Sequence, residues 1–126
     1  GRKNGALISM STGKAVAFAI FNLQARGEMF VTHNDPVYEG MIVGLTPKPG
    51  DMIINVMKGK QLTNMRTQGT DENVVLTPVR QMSIAEQLSM LNTDEALEIT
   101  PKSLRLRKAI LNPHDRKRSE KSGTAA

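Results

Sequence analysis

The 126-residue chain contains no cysteine and no tryptophan, and it has only one tyrosine and three phenylalanines. The absence of cysteine excludes disulfide bonds and cysteine-ligated zinc, and it is typical of proteins from reducing compartments. With so few aromatic side chains, the chain has hardly any rings to spare for stacking on unpaired bases. No apolar run approaches the roughly 18 residues of a membrane span. We therefore expect a small intracellular domain without a membrane segment.

Residue types that support catalysis or metal binding are also scarce. The two histidines, His33 and His114, fall in a predicted turn and in the basic C-terminal segment, where no pocket is expected. The neighbouring acidic residues Asp94 and Glu95 would diverge on regular secondary structure, so they would not converge on a metal. Neither Gly-Lys pair fits a phosphate-binding loop, because the required upstream glycine and the following Ser or Thr are missing. The sequence predicts no catalytic, metal or cofactor site in this chain.

Positive charge is concentrated near the C-terminus. Residues 1–99 hold 9 Lys or Arg and 10 Asp or Glu, a balance of −1, whereas residues 100–126 hold 8 and 2, a balance of +6. A basic segment on a neutral body predicts a polyanionic partner, most often nucleic acid, although a solvated tail would have the same composition. Six cations of this segment are candidate phosphate contacts: Arg105, Arg107, Lys108, Arg116, Lys117 and Arg118.

Short apolar stretches separated by turn signals predict an α+β fold that is predominantly β. Strand-like composition occurs at 6–10, 15–21, 29–32, 41–45, 52–57, 96–100 and 103–107. Strands at this spacing are typical of a small, compact barrel or sandwich built from hairpins. In the last stretch, the alternation of Leu and Arg places Leu104 and Leu106 inward, and Arg105 and Arg107 outward.

One helix is strongly predicted after residue 82. Ser83 and Glu86 have the spacing of a capping box, in which each side chain accepts a hydrogen bond from the other's backbone N–H. Ile84, Leu88 and Leu91 follow at helical spacing, and we expect this narrow apolar stripe to pack against a sheet. A single helical turn over 22–26, closed by a glycine, is a weaker prediction.

The predicted domain spans residues 1–111 and is followed by a basic tail at 112–126. Within the tail, Asn112 and Pro113 resemble a helix start, with proline at the first helical position. Residues 114–121 have no apolar face, so we expect a marginal helix followed by a disordered end.

The connection at 58–73 is unusually long for a compact domain. It has 16 residues, of which only Leu62 and Met65 are apolar. Loops longer than about 12–15 residues tend to be functional or disordered. Cations with amide and hydroxyl side chains suit contacts to phosphate and ribose, although a solubilising surface loop would have a similar composition. The candidate contacts in this loop are Lys58, Lys60, Gln61, Thr63, Asn64 and Arg66.

Six segments of the sequence resemble the C-terminal domain of the BipA/TypA family of ribosome-associated translational GTPases. They are GALISMSTGKA at 5–15, FNLQARG at 21–27, VYEGMIVG at 37–44, GKQLTNMR at 59–66, GTDE at 69–72 and ITPKSLRLRK at 99–108. The similarity continues in the same order from residue 5 to about residue 118. Its most specific part is the block at 62–66 followed by 69–72.

The resemblance implies a domain that binds the ribosome. In the family, this domain follows the GTPase, barrel and elongation-factor-like domains and occupies the ribosomal A site. Its long loop, which corresponds to 58–73, reaches toward the peptidyl-transferase centre and the acceptor end of A-site tRNA. The implied partners are the ribosome, large-subunit rRNA and A-site tRNA, and the implied process is large-subunit assembly and stress-adapted translation.

The resemblance also assigns the enzymatic activity to the parent protein. GTP and Mg²⁺ would bind to its GTPase domain, whose residues are not in this chain, and we expect the chain itself to be a cytoplasmic monomer without cofactor or enzymatic activity. The alternative is a protein-interaction module that docks on a ribosomal protein or on other domains of the parent. Exposed uncharged residues and salt-insensitive binding would favour that alternative.

Overall fold

The computed structural model describes residue 2 and the ranges 4–57, 75–79, 82–99 and 104–121. The described chain forms an α+β fold that is mostly β, as predicted. Its elements are β1 (Ala6–Ser9), β2 (Gly13–Lys14), α1 (Ala17–Gln24), β3 (Glu28–Met29), β4 (Pro36–Val37), β5 (Ile42–Leu45), β6 (Met52–Ile54), α2 (Ile84–Met90), β7 (Glu95–Ile99), β8 (Leu104–Lys108) and α3 (Pro113–Lys121). None of these helices has the length and apolar character that crossing a bilayer requires.

The strands are divided among three sheets. The main sheet has the order β3-β5-β1-β6, while β2 pairs with β4 and β7 pairs with β8. Within the main sheet, β1 runs antiparallel to β5, with Leu7 opposite Gly44, and parallel to β6, with Leu7 opposite Met52. The β1–β5 register shifts between Leu7 and Ile8.

Strand β1 lies between two hydrophobic cores. All four of its residues are buried. Because successive side chains of a strand point to opposite faces, Leu7 joins a first core, and Ala6 and Ile8 join a second. Ile20 of α1 belongs to the first core, and Leu106 of β8 belongs to the second. The main sheet therefore carries α1 on one face and the β7–β8 hairpin on the other.

The hairpin is joined to the main sheet beside the start of β5. The backbone N–H of Lys108 donates to the carbonyl of Gly40 at 2.9 Å, and Met41 forms an antiparallel bridge with Arg107. Gly40 has a φ of +89°, and a Cβ at this position would lie 2.7 Å from the Cα of Leu111. Only glycine combines this left-handed backbone with so close an approach.

The strand predicted at 15–21 is wrong, because the chain forms helix α1 from Ala17 instead. A continuous apolar run fits a buried strand and a buried helix equally well, so composition alone does not separate them. Ala17, Ile20 and Leu23 are all buried at a spacing of three, which is the spacing of one helix face. The helical turn predicted at 22–26 is the end of this helix, where the N–H of Gly27 donates to the carbonyl of Leu23 at 3.1 Å.

Helix α2 begins with the predicted capping box but packs through a different face. The hydroxyl of Ser83 accepts from the N–H of Glu86 at 3.2 Å, and the Glu86 carboxylate accepts from the N–H of Ser83 at 3.4 Å. Ile84 and Leu88 are 49% and 53% exposed, so the predicted packing is wrong for these two residues, whereas Leu91, the third residue of the stripe, packs against the second core. Gln87 is buried instead, and its side-chain amide is satisfied there by donating to the carbonyl of Met82.

Candidate nucleic-acid interface

The six candidate contacts of the 58–73 loop lie outside the described residues, but the chain on either side of them is well anchored. Before the loop, the carbonyl of buried Val56 accepts from the N–H of Val16 at 2.9 Å. After it, the Gln24 side-chain amide donates to the carbonyl of Thr77 at 2.7 Å and accepts from its N–H at 2.9 Å. Both flanks are therefore held to the two ends of α1.

Arg105 and Arg107 lie on β8 and are partly exposed. The Arg105 guanidinium lies 3.9 Å from the Glu98 carboxylate on β7 and 5.9 Å from the centre of the Tyr38 ring. The Arg107 guanidinium donates to the carbonyls of Lys108 at 3.0 Å and Ala109 at 3.3 Å. Both arginines are held in place by neighbours while part of each side chain remains accessible to a ligand.

Helix α3 presents two of its three predicted phosphate contacts to solvent. Asn112 caps the helix, since its Oδ1 accepts from the N–H of His114 at 2.9 Å. Arg116 folds back to donate to the carbonyl of Leu111 at 2.6 Å. Lys117 is exposed, and the Arg118 side chain is 81% exposed. The helix start predicted at Asn112 and Pro113 is confirmed.

Lys108 differs from the other predicted contacts because its side chain is only 2% exposed. Its Nζ lies 2.5 Å from Asp51, 2.8 Å from Asp94 and 2.9 Å from Glu95. A buried ammonium that already contacts three carboxylates has no free surface for a phosphate, and the carboxylates would repel one. The structure therefore corrects the expectation that Lys108 contacts RNA: its role is within the fold.

Arg2 completes this ion cluster, which consists of Arg2, Asp51, Asp94, Glu95 and Lys108. The Arg2 guanidinium donates to both carboxylate oxygens of Glu95, whose side chain is fully buried. Burial alone would raise the pKa of Glu95, but hydrogen bonds from Arg2 and Lys108 outweigh it and lower this pKa to about 2. Burial alone would also lower the pKa of Lys108, yet the three carboxylates raise it. Both groups are thus held in their charged forms.

The carboxylates of the ion cluster are close enough together to bind a metal ion, but an ammonium takes that position. Ligand oxygens of Asp51, Asp94 and Glu95 all lie within 4.8 Å of one another. The expectation that Asp94 and Glu95 diverge is wrong, because both converge on the Nζ of Lys108. Their common partner is a side chain of the same chain, so we assign the cluster no metal.

An open groove of about 400 Å³ lies between Arg105 and the start of α3. It is lined by Thr12, Tyr38, Glu39, Glu98, Arg105 and Leu111. The Tyr38 hydroxyl donates to Glu98 at 3.3 Å. Burial and the nearby Glu98 charge raise the pKa of Tyr38 to about 12, so the phenol stays neutral at physiological pH.

Comparison with known protein families shows to which family the chain belongs. The model of the TypA/BipA C-terminal domain matches residues 4–113. This chain belongs to the TypA/BipA C-terminal domain family. The match includes β8 with its two partly exposed arginines but only the first residue of α3. The α3 cations therefore lie beyond the part of the chain that defines the family.

Curated relatives of this TypA/BipA domain carry the name large ribosomal subunit assembly factor BipA. The protein from Buchnera aphidicola (subspecies Schizaphis graminum) is 53% identical over 98% of the chain, and the Salmonella typhimurium protein is 48% identical over 95%. The Escherichia coli K12 protein is 48% identical over 96%. The chain spans about one fifth of the length of each of these relatives, since 20% of each is covered.

The ion cluster of this TypA/BipA domain is the feature that sequence analysis missed. A signal for Lys108 was present, because the alternation that places Leu104 and Leu106 inward also places Lys108 on the inner face. No pattern in the sequence around Arg2 or Asp51 indicates that these residues belong to the ion cluster. Their partners lie far along the chain, with Arg2 bonded to Glu95 across 93 positions.

Proposed function

We propose that this domain binds the large ribosomal subunit through RNA, as the C-terminal module of a translational GTPase that acts in subunit assembly and stress-adapted translation. The 58–73 loop contacts large-subunit rRNA and A-site tRNA near the peptidyl-transferase centre. The names of the relatives support the ribosome as the partner, and the family supports a GTPase parent. GTP, Mg²⁺ and hydrolysis belong to the parent's other domains. The chain acts in the cytoplasm as a monomer and has no enzymatic activity of its own.

The observation that carries this proposal is the placement of positive charge. Residues 100–126 have a balance of +6, and the described cations of this segment occupy one contiguous stretch of β8 and α3. Lys117 and Arg118 are exposed, and Arg105 and Arg107 on β8 keep part of their side chains exposed. Contacts between such cations and phosphates position a protein on RNA without reading its sequence. Lys108 is left out of the interface because it is buried.

Salt titration of the wild-type chain on isolated large subunits tests the proposal. Each phosphate contact contributes about −0.7 to −0.9 to the slope of log affinity against log salt concentration. Four exposed cations together with three from the loop predict a slope of about −5 to −6. Isolated small subunits serve as the control partner and should bind more weakly at every salt concentration. Tight binding with a slope near zero would contradict an RNA interface.

One observation favours the protein-interaction alternative. Ile84 and Leu88 form an exposed apolar pair on α2, and Ile53 on the edge strand β6 is 48% exposed. Apolar surface of this kind suits a ribosomal protein or another domain of the parent. Docking through it would be insensitive to salt and would be lost when Ile84 and Leu88 are replaced by glutamine.

A further inference from the structure

The groove beside Arg105 has a chemical character unlike the rest of the basic segment. Among the described residues, its charged lining is Glu39, Glu98 and Arg105, with a summed charge of −1, whereas the segment around it is strongly positive. Two carboxylates make the groove unfavourable for a phosphate. The groove is therefore a different kind of site from the phosphate contacts, and Arg105 takes part in it through its guanidinium plane in addition to the phosphate contact proposed for its charge.

One wall of the groove is flat and polarisable. The Arg105 guanidinium lies over the Tyr38 ring at 5.9 Å from its centre, and the Tyr38 hydroxyl is fixed by its hydrogen bond to Glu98. Unpaired bases stack on aromatic rings and on guanidinium planes in RNA-binding proteins. The Arg105 side chain is 27% exposed and the Glu98 side chain 36%, so this wall is open to a ligand. A volume of about 400 Å³ is in the range of small-ligand sites and can hold one nucleoside.

The polar groups at the groove favour one class of base. Ionised carboxylates only accept hydrogen bonds, so Glu39 and Glu98 select bases that present N–H donors. Guanine offers two donors side by side on its Watson–Crick edge, N1–H and N2–H, which match the two oxygens of one carboxylate. Adenine and cytosine offer a single amino group, and uracil offers one ring N–H. The groove also opens between Arg105 and Leu111, so an RNA strand that contacts both β8 and α3 would pass beside the groove.

We propose that this groove holds an unpaired guanine of the bound RNA, with the base stacked against the Arg105–Tyr38 wall and its N–H donors on Glu98. Glu39, the second carboxylate of the lining, disfavours a phosphate inside the groove. The proposal rests on the proposed RNA-binding function and gives that interface a position with base preference.

Tyr38 provides a site-specific probe because it is the only tyrosine of the chain. The full chain labelled with 3-fluorotyrosine gives a single ¹⁹F resonance, which can be followed as GMP, AMP, CMP or UMP is added. We expect a saturable shift with GMP, at least about fivefold tighter than with the other three nucleotides. Inorganic phosphate and a hexa-arginine peptide serve as the control ligands and should leave the resonance in place.

Variants separate recognition by the groove from general binding. Glu98→Gln should weaken GMP binding about tenfold and reduce the preference over AMP, because a neutral amide accepts more weakly than a carboxylate. Glu39→Gln removes a second carboxylate of the groove without disturbing the Tyr38–Glu98 hydrogen bond, and it should make phosphate more competitive. Glu28→Gln is the matched control, since Glu28 lies on β3 beside a different groove, and it should leave GMP binding unchanged.

Several outcomes would overturn the proposal. No shift with GMP, or equal shifts with all four nucleotides and with phosphate, would exclude a guanine site. A shift with hexa-arginine alone would identify the groove as a site for a basic protein segment. If large subunits still bind with a steep salt slope in either case, only the groove proposal fails. If they bind without salt dependence, the proposed RNA interface fails independently.

Discussion

Lys108 and Glu95 join the hairpin to the rest of the domain through charge. Both side chains are buried, and their partners come from the N-terminus, from the residue before β6 and from the turn before β7. Burying a charge is costly unless every charge is paired and hydrogen-bonded, which the ion cluster achieves with two cations and three carboxylates. The cluster therefore specifies one arrangement of these segments, and removing any member takes an opposite charge away from its partners.

We expect Lys108→Met to reduce the free energy of unfolding by about 3 kcal/mol, because three carboxylates would then share one cation. Lys48→Met is the matched control: Lys48 is exposed, and its replacement should change stability by less than about 0.5 kcal/mol. Urea unfolding followed by circular dichroism measures both. If Lys108→Met left the stability unchanged and made the salt slope for subunit binding shallower, Lys108 would be a phosphate contact and not a structural residue.

The lowered pKa of Glu95 predicts how the free energy of unfolding falls at acid pH. Its pKa is lowered from 4.5 to about 2 in the folded state, so its contribution is present above pH 4.5 and is lost as the pH falls toward 2. This contribution is about 3 kcal/mol at neutral pH. Glu95→Gln should lose that amount at pH 7 and show a shallower decline between pH 4.5 and 2. Parallel acid limbs for the two proteins, measured by urea midpoints at each pH, would contradict the account.

Among the secondary-structure elements, local sequence signals predicted where α2 and α3 begin. They did not predict which residues these helices contact. The capping box at Ser83 and the proline start at Pro113 depend on neighbouring residues and are confirmed. The contact face of α2 depends on distant residues, and there Gln87 is buried while Ile84 and Leu88 of the predicted stripe are exposed. Helix α1 was missed because its continuous apolar run has no period that distinguishes a helix from a strand.

Helix α3 should contribute to binding and little to folding. Among the described residues, neither hydrophobic core includes a side chain from α3. We expect the chain ending at Leu111 to keep its melting temperature within about 3 °C and to bind large subunits with a salt slope shallower by about 1.5, the share of two exposed cations. The full-length Lys117→Ala, Arg118→Ala variant should reproduce that slope. Wild-type affinity of the truncated chain at every salt concentration would exclude α3 from the interface.

The exposed apolar pair on α2 should be dispensable for stability. Replacing both Ile84 and Leu88 by glutamine should cost at most about 1 kcal/mol, because neither side chain is buried. Leu106→Ala is the comparison, since Leu106 is 4% exposed and its truncation should cost about 3 kcal/mol. Urea midpoints separate these results. A loss of similar size in both variants would show that α2 packs through the stripe after all.

For the whole molecule, the sequence and its resemblance to a family predicted the fold class and the family. Which cations are exposed and which are buried could be learned only from the structure. Arg105 and Lys108 lie in the same short strand, yet one faces an open groove and the other a buried cluster. The period of two along β8 assigned the faces correctly. It could not show that carboxylates would occupy the inner face, because Asp51 is brought there by the path of the main sheet and not by local spacing.

The salt dependence of large-subunit binding, compared between two triple variants, tests whether RNA contacts are concentrated in the loop. Lys58→Ala, Lys60→Ala, Arg66→Ala removes three proposed contacts, and Lys14→Ala, Arg26→Ala, Lys48→Ala removes three exposed cations elsewhere with the same change in net charge. We expect the loop variant to show a slope shallower by about 2–3 units and the control variant to keep the wild-type slope. Equal slopes for the two variants, with both proteins folded, would contradict the account.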